Sequence, residues 1–297
     1  MAIFNLTVNA NIFSGVGNSV DVFRGPGGGL DNLQGMGGND RFEIDEFQRG
    51  IINGGIGYDK IVLDNFSNQF HTGLKISAVE ELSVNFQNLF ASVAQLAGFT
   101  KITVTTAQPE FFFFLQGAGG ALDFSTSYTS TKKLNIEAAM TTSAVTVIGT
   151  ARGDSILGSN FGDTLTGGAG IDQIFGGLGS DKLNGGLGKD ELTGGNAADT
   201  FIFSAKSHSV VGANADRIMD FDDAHTGDRI DVSALFATTM VYRHAAAFTA
   251  AGQVRINDVA GADVVVEVNT GGTLAADFSI RLVDTTLASM NAGDFIL

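Results

Sequence analysis

From Gly149 onward the chain repeats itself every nine residues, and few folds accommodate such a pattern. Each of six consecutive units has aspartate at its sixth position and an apolar residue at its eighth. The aspartates are Asp154, Asp163, Asp172, Asp181, Asp190 and Asp199. A short repeat of fixed period indicates a solenoid, in which stacked units bury their apolar side chains against one another.

The two halves of each unit predict different local structures. The glycine-rich half predicts a tight turn, because glycine reaches positive φ angles without steric cost. The second half predicts a short strand whose one apolar side chain points inward while its neighbours point outward. Successive units then wind to alternate sides of a roll, so aspartates from every second unit stack on one side. The predicted fold is all-β, a parallel β-roll or β-helix solenoid.

Stacked carboxylates one strand spacing apart would repel one another unless a cation lay between them. A hard cation with six to eight oxygen ligands suits carboxylates and turn carbonyls, whereas Mg²⁺ demands a compact octahedron and retains water. The alternative is that each aspartate only caps its turn through local hydrogen bonds. That alternative predicts a mixture of Asp, Asn and Ser at the sixth position. Six invariant aspartates therefore favour several bound Ca²⁺ ions.

A second, less regular set of repeats lies near the N-terminus. Units at 26–34, 35–43 and 54–62 contain Asp31, Asp40 and Asp59. Only the third unit matches the full pattern of the later repeats. We interpret residues 1–66 as an N-terminal solenoid with a short calcium roll, and we expect these three aspartates to be metal ligands.

The remaining segments lack the glycine–aspartate signature. Residues 67–148 contain strand-like runs rich in Val, Ile, Thr and Phe, and they predict either a calcium-free β-solenoid or an inserted β domain. Helical spacing without a breaker predicts a helix at 89–96. The roll occupies 149–202, and 203–297 predicts a C-terminal β-rich cap.

Composition and motifs exclude several function classes. The net charge of −15 makes nucleic acid and anionic membranes unsuitable partners, and no apolar run is long enough to predict membrane insertion. The chain contains neither the HExxH motif of zinc proteases nor the GxSxG motif of lipases, so we expect no enzyme of either kind. Polysaccharide lyases and epimerases have no comparably short motif, and that alternative stays open.

The C-terminal half resembles the RTX proteins, and in particular their serralysin-type C-terminal domain. The resemblance is strong over 149–297 and weaker over 26–62. The segments that carry it are ADTFIFSA at 198–205, ADRIMDF at 215–221, GDRIDVSAL at 227–235, ADFSIRL at 276–282 and the terminal DFIL. This resemblance implies a parallel β-roll and an uncleaved C-terminal signal that the type I secretion machinery recognises. It therefore implies a secreted protein, extracellular or at the cell surface.

The resemblance also implies which atoms hold each ion. In the family, the sixth-position aspartate acts with turn carbonyls near positions two and four. The corresponding glycines here are Gly168, Gly170, Gly177, Gly179, Gly186 and Gly188. Units one, two and six depart from the pattern, with Arg152, Phe161 and Ala197 at position four, so we expect weaker sites at the ends of the roll.

The most direct functional hypothesis is a calcium-dependent structural protein that assembles with copies of itself as a surface layer, filament or matrix. A mean hydropathy of +0.18 with only 16% charged residues is apolar for a free extracellular protein, which suggests contacts between copies. One alternative is an adhesin that binds a cell-surface polysaccharide through the middle segment. The other is the polysaccharide lyase or epimerase.

Overall fold

A computed structural model describes most of the chain. The described residues are 1–5, 12–25, 30–44, 49–63, 70, 73–107, 110–221, 227–259, 263–271, 273–288 and 290–297. They form two compact units, Met1–Ser143 and Ala144–Leu297. Nearly all the regular secondary structure of both units is β-strand. None of the helices within the described ranges has the length and apolarity needed to cross a lipid bilayer.

The first unit is a parallel solenoid with one short helix, α1 (Val93–Leu96). Its strands are β1 (Ile3–Asn5), β2 (Ile12–Ser14), β3 (Val22–Gly25), β4 (Leu30–Gln34), β5 (Arg41–Ile44), β6 (Arg49–Asn53), β7 (Lys60–Leu63), β8 (Lys75–Ser77), β9 (Glu81–Val84), β10 (Asn88–Ala91), β11 (Lys101–Val104), β12 (Phe111–Gly117), β13 (Gly120–Asp123) and β14 (Leu134–Thr141).

These strands stack in parallel so that each turn of the chain lies on the previous one. One sheet has the order β1-β3-β5-β7-β9-β11, and a second has the order β2-β4-β6-β8. The central residues of the first sheet form a column of Phe4, Phe23, Phe42 and Ile61. The rings of Phe23 and Phe42 stack with centroids 4.8 Å apart, and both side chains are fully buried. This column forms the core of the N-terminal turns.

The middle segment continues the winding. Strand β12 pairs in parallel with both β10 and β14, and β9 joins β7 to β11. This parallel pairing favours the solenoid over an inserted β-sandwich. The helix predicted at 89–96 is wrong in its first half, because Leu89, Phe90 and Ala91 pair with β12 and only the residues after Ser92 are helical.

The second unit contains the nonapeptide repeats and the C-terminal cap. Its strands are β15 (Val145–Ile148), β16 (Ser155–Leu157), β17 (Thr164–Gly170), β18 (Gln173–Leu178), β19 (Lys182–Gly188), β20 (Glu191–Asn196), β21 (Thr200–Ile202), β22 (Asp216–Ile218), β23 (Arg229–Asp231), β24 (Val241–Tyr242), β25 (Gln253–Val259), β26 (Asp263–Asn269), β27 (Phe278–Leu282) and β28 (Phe295–Ile296). Short 3₁₀ helices occur at Lys206–His208, Ser233–Leu235 and Ala292–Asp294.

The repeats alternate between two parallel sheets, as their spacing predicts. Even-numbered strands from β16 to β22 form one sheet, and odd-numbered strands from β15 to β23 form the other. The single apolar residue of each repeat points inward and is fully buried; the two columns are Ile156, Ile174, Leu192 and Ile218, and Leu165, Leu183, Phe201 and Ile230. The antiparallel strands β25, β26 and β27 extend the first sheet and form the β-rich cap.

Candidate calcium sites

The repeat aspartates form two ladders, one along each side of the second unit. Ladder A consists of Asp154, Asp172, Asp190 and Asp216, and ladder B consists of Asp163, Asp181, Asp199 and Asp228. Within each ladder, the amide nitrogen of one aspartate donates to Oδ1 of the aspartate in the next turn. These N–O distances lie between 2.6 Å, from Asp163 to Asp181, and 3.0 Å, from Asp199 to Asp228. The prediction that alternate units stack on one side is confirmed.

The second carboxylate oxygen, Oδ2, distinguishes later aspartates of the two ladders from the first one in each. Every ladder aspartate is at most 3% exposed. In the described part of the chain, Oδ2 is buried without a hydrogen-bond partner in Asp181, Asp190, Asp199 and Asp216. A buried carboxylate oxygen without a partner is costly, and a cation beside it would remove that cost. The interior aspartates therefore fit a bound Ca²⁺.

Burial also changes the acidity of these groups. Burial raises the pKa of Asp181 and Asp199 to about 7, although a backbone hydrogen bond opposes the rise, and the carboxylates of neighbouring turns add to it. Burial also raises the pKa of Asp190 to about 6. The pKa of Asp216 rises to about 8, with further repulsion from Asp190. Each of these carboxyls resists carrying its charge unless a positive charge lies close by.

The glycines at positions two and four of the interior repeats form the turns. Gly168 and Gly186 have φ angles of 113° and 94°, which side-chain-bearing residues rarely adopt. A Cβ atom on Gly186 would collide with the carbonyl oxygen of Gly168 one turn away. The same relationship holds between Gly188 and the carbonyl oxygen of Gly170. The predicted glycine ligands therefore lie where turn carbonyls stack closely, which is the oxygen arrangement that calcium accepts.

The first two repeats provide hydrogen-bond donors where the interior repeats have glycine. The amide of Thr150 donates to Oδ2 of Asp154 at 2.5 Å, and the Thr150 hydroxyl donates to Oδ1 at 3.1 Å. Ser159 makes the same pair of bonds to Asp163, at 2.5 and 2.9 Å. The hydroxyl and the amide thus give these two carboxylates the partners that a cation would give the interior aspartates. Asp154 and Asp163 therefore fit an ion less well than the interior aspartates do.

The sequence pattern did not predict the last aspartate of ladder A, Asp216, or of ladder B, Asp228, as a ladder member. Asp216 and Asp228 follow the last nonapeptide repeat, and each lies two residues before a buried isoleucine. The segments ADTFI, ADRIM and GDRID share this spacing, which could have identified them. Asp220 closes the final turn, because its carboxylate accepts from the amides of Gly194 and Gly195 at 2.9 and 2.8 Å.

The first unit contains a third ladder, which we call the N-terminal ladder. Its members are Asp21, Asp40, Asp59 and Glu80. Each backbone amide donates to the carboxylate of the next member at 2.7 Å. Oδ2 of Asp40 and of Asp59 is buried without a hydrogen-bond partner in the described ranges, and burial raises the pKa of Asp40 to about 6. These two predicted ligands therefore have the same character as the interior aspartates of ladders A and B.

The backbone of Asp31 lies in the sheet of β2, β4, β6 and β8, whereas the aspartates of the N-terminal ladder precede strands of the other sheet. Consecutive ladder aspartates are 19 residues apart in this unit, whereas two repeats of nine residues span 18. An alignment in steps of nine therefore shifts by one residue relative to the ladder with each turn. Asp31 lies within β4 and pairs with Gly50 in β6 of the same sheet. Its side chain is outside the described residues, so its role as a metal ligand stays a prediction. Asp21 and Glu80, which the sequence analysis missed, occupy the ladder positions above and below the predicted pair.

Asp21 resembles the first rungs of the other two ladders. Its carboxylate accepts from the amides of Val16 and Ala2 and from the hydroxyl of Ser19, at 2.6, 2.9 and 2.7 Å. Burial alone would raise its pKa, but these hydrogen bonds lower it below the ordinary value. All three ladders therefore begin with a hydroxyl-bonded aspartate.

Comparisons with known proteins agree with this arrangement. The model for the Peptidase M10 serralysin C terminal matches residues 90–297, and the model for the RTX calcium-binding nonapeptide repeat (4 copies) matches residues 26–43. No curated protein matches the chain. Two solution structures from the Azotobacter vinelandii mannuronan C5-epimerase are similar in sequence. The AlgE6R3 subunit is 30% identical, with a TM-score of 0.35, over 52% of this chain and 78% of that chain. The AlgE6R2 subunit is 29% identical, with a TM-score of 0.34, over 48% and 91%.

The serralysin model spans more than half of the chain, and the RTX model matches part of the N-terminal roll. RTX nonapeptide repeats bind calcium ions, and together with the C-terminal secretion domain they mark a secreted protein. The chain therefore belongs to the family of serralysin C-terminal domains, as a secreted, calcium-binding RTX protein.

Proposed function

We propose that this protein is a calcium-dependent structural protein that assembles with copies of itself at or outside the cell surface, after export by the type I secretion machinery. The observation that supports assembly is a cluster of exposed apolar side chains on the turns of the N-terminal roll. Val16, Met36 and Ile56, which we call the turn patch, are 61%, 54% and 81% exposed. Neighbouring large apolar side chains exposed to this extent are typical of interaction surfaces.

The turn patch belongs to the same turns as the N-terminal ladder. The amide of Ile56 donates to the carbonyl oxygen of Met36 at 3.0 Å, so these two residues lie on adjacent turns. Each turn ends at a ladder residue: Val16 precedes Asp21, Met36 precedes Asp40, and Ile56 precedes Asp59. An ion that orders these turns would also fix the patch in one conformation, so binding between copies would depend on calcium.

Electrostatics favours the same dependence. With a net charge of −15, ion-free copies repel one another over about 8–10 Å at physiological salt. Each bound Ca²⁺ adds two positive charges to the folded protein. Calcium therefore orders the apolar contact surface and reduces the repulsion that opposes contact.

Light scattering and electron microscopy of the full chain in millimolar calcium and in EGTA test the proposal. We expect large assemblies in calcium and none in EGTA. The double substitution Met36→Ser and Ile56→Ser should abolish assembly while the circular dichroism in calcium stays as in the wild type. The matched control is Ile171→Ser, because Ile171 is also an exposed turn residue, 66% exposed, but lies in the second unit. A protein that stays monomeric in calcium, or a double variant that assembles normally, would refute this function.

A specific observation also favours the adhesin alternative. On the outer face of the sheet of β10, β12 and β14, three partly exposed rings lie together: Phe90 stacks on Phe114 at 4.6 Å, and Phe112 lies 6.0 Å from Phe114. Asn88 is the register partner of Phe112 and Glu137 that of Phe114, so polar groups flank the rings. Rings beside amide and carboxylate groups can bind the apolar face of a sugar. Binding of polysaccharide by a wild type that stays monomeric in calcium, and its loss in Phe112→Ala, would assign this function instead.

A further inference from the structure

Two adjoining cavities on the second unit form a groove with an unusual charge. The cavities have volumes of about 310 and 390 Å³, and both are lined by Gly212, Ala213, Ala215 and Arg281. The smaller cavity is also lined by Lys189 and Arg217. We call this surface the basic groove. Three cationic side chains gathered at one concavity are unexpected in a chain with 17 basic and 32 acidic residues.

The two arginines of the basic groove face each other across neighbouring strands. Arg217 in β22 and Arg281 in β27 are register partners in a parallel pair. Neighbouring strands lie about 4.8 Å apart, and like charges directly opposite each other are destabilising. Within the described residues each arginine has a carboxylate partner, since Arg217 bonds to Glu191 at 3.0 Å and Arg281 bonds to Asp263. These ion pairs reduce the repulsion but use only part of each guanidinium group.

Lys189 adds a third positive charge that has no carboxylate partner among the described residues. It occupies the fifth position of its repeat, in the turn that precedes Asp190. The smaller cavity is thus lined by three cations, two of which pair with a carboxylate. Counted with these two partners, the cations leave an excess of one positive charge at this cavity, opposite in sign to the protein as a whole.

We propose that the basic groove binds the oxyanion of a small acidic ligand, either the carboxylate of an acidic sugar or a sulfate group. A guanidinium fork matches the geometry of an oxyanion, and a lysine adds a point charge. The shared lining residues Gly212, Ala213 and Ala215 are small, so an anion can approach the cations closely.

The larger cavity suits the rest of such a ligand. Val259 and Val265 give it an apolar wall, and its neutral polar residues are Asn257, whose Nδ2 donates to Glu267, and Ser279, whose hydroxyl donates to the carbonyl oxygen of Val210. Glu267 also lines this cavity, but it already pairs with Arg255 at 2.7 Å, which limits its repulsion of an anion. A sugar ring fits this mixture of apolar and neutral polar groups beyond its charged substituent.

Calorimetric titration and amide NMR in millimolar calcium test this inference, on the full chain carrying Met36→Ser and Ile56→Ser so that it stays monomeric whether or not the wild type assembles. The probes are glucuronate, sulfate and a neutral methyl glucoside, each titrated also into protein-free calcium buffer. We expect saturable binding of at least one anion, with shifts of the Gly212 and Ala213 amides, and weaker binding as salt rises. The neutral glucoside should not bind.

The informative variant is Lys189→Gln, which removes a charge without breaking an ion pair. Anion affinity should fall on the order of tenfold, which is the loss of one charge-assisted hydrogen bond. Lys182→Gln is the matched control, because Lys182 is an exposed repeat lysine that does not line the groove, and it should bind as the wild type does.

Each outcome of these titrations either supports or overturns anion binding by the basic groove. Binding of glucuronate alone assigns the carboxylate of a sugar, and equal binding of sulfate assigns the oxyanion itself. Absence of binding by both anions, equal losses in Lys189→Gln and Lys182→Gln, or binding of the neutral glucoside equal to that of glucuronate would each overturn the proposal. None of these outcomes depends on self-assembly.

Discussion

The amide nitrogen of Asp190 donates to Oδ1 of Asp216 at 2.9 Å, although the two residues are 26 positions apart. The preceding rungs of ladder A are separated by 18 positions. The additional residues form a longer connection, but Asp216 still occupies the position that a further repeat would supply. The ladder therefore ends inside the C-terminal cap and joins the cap to the repeats.

Replacing Asp216 by alanine should destabilise the second unit. The substitution leaves the buried amide of Asp190 without its acceptor, which costs about 1–3 kcal/mol even in EGTA. In calcium the loss should be larger, because a carboxylate ligand is also removed. Urea unfolding monitored by circular dichroism in both conditions measures the two effects.

The Asp216→Asn variant separates the hydrogen bond from the charge. Asparagine keeps the Oδ1 acceptor but carries no charge, so stability in EGTA should equal or exceed that of the wild type. Its gain in stability on adding calcium should be smaller than that of the wild type. An equal gain would show that Asp216 does not contribute to ion binding.

Replacing Thr150 by glycine should make the first repeat dependent on calcium. Asp154 would lose the hydroxyl donor at 3.1 Å, and stability in EGTA should fall by about 1 kcal/mol. Thr150→Ser keeps the hydroxyl and serves as the control. The measurement is the unfolding free energy in EGTA. Equal stability of the glycine and serine variants would contradict this account of the first rung.

Replacing Gly186 by alanine should disrupt the turns. The substitution combines an unfavourable φ of 94° with a collision at the carbonyl oxygen of Gly168, and we expect a loss of at least about 2 kcal/mol in calcium. Gly17→Ala is the control for φ alone, since Gly17 has a φ of 58° and no atom within 4 Å of the added Cβ. Thermal unfolding should show a clearly larger shift for Gly186→Ala.

Acidification should partly replace calcium. The pKa values of Asp190, Asp181 and Asp216 in the fold are about 6, 7 and 8, above the ordinary value of 3.8. Ion-free stability is therefore greatest below the ordinary value and is lost as pH rises through 6 to 8. In EGTA, strand signal should increase as pH falls from 8 to 5. The double variant Asp181→Asn and Asp199→Asn should show a weaker pH dependence, and an unchanged dependence would contradict the assignment.

The repeats allowed much of the fold to be predicted. The nine-residue period correctly placed the apolar columns that include Ile174 and Leu183, because a solenoid of two repeats per turn leaves no other way to bury them. The alternation of aspartates between two ladders follows from the same geometry. The repeat spacing did not predict Asp216 and Asp228 as ladder members, because longer segments separate them from the preceding ladder aspartates. Their places in the ladders depend on strand pairing and not on constant spacing.

Other features could not be predicted from the sequence because they depend on contacts between distant residues. Asp31 was aligned with the other aspartates in steps of nine, whereas the turns there contain 19 residues, and its role as a ligand stays a prediction. The first half of the helix predicted at 89–96 is instead a strand that pairs with β12, since tertiary contacts outweigh weak local propensity. The groove of Lys189, Arg217 and Arg281 forms only when the cap pairs with the repeats.

The hydroxyl groups of Thr150, Ser159 and Ser19 affect the order in which the chain folds. They satisfy the first carboxylate of each ladder without a metal, so one turn at that end can form before any ion binds. Each later turn stacks on an existing template, as growth from a nucleus does in a one-dimensional lattice. The calcium concentration then sets how far a roll extends, and not whether it begins.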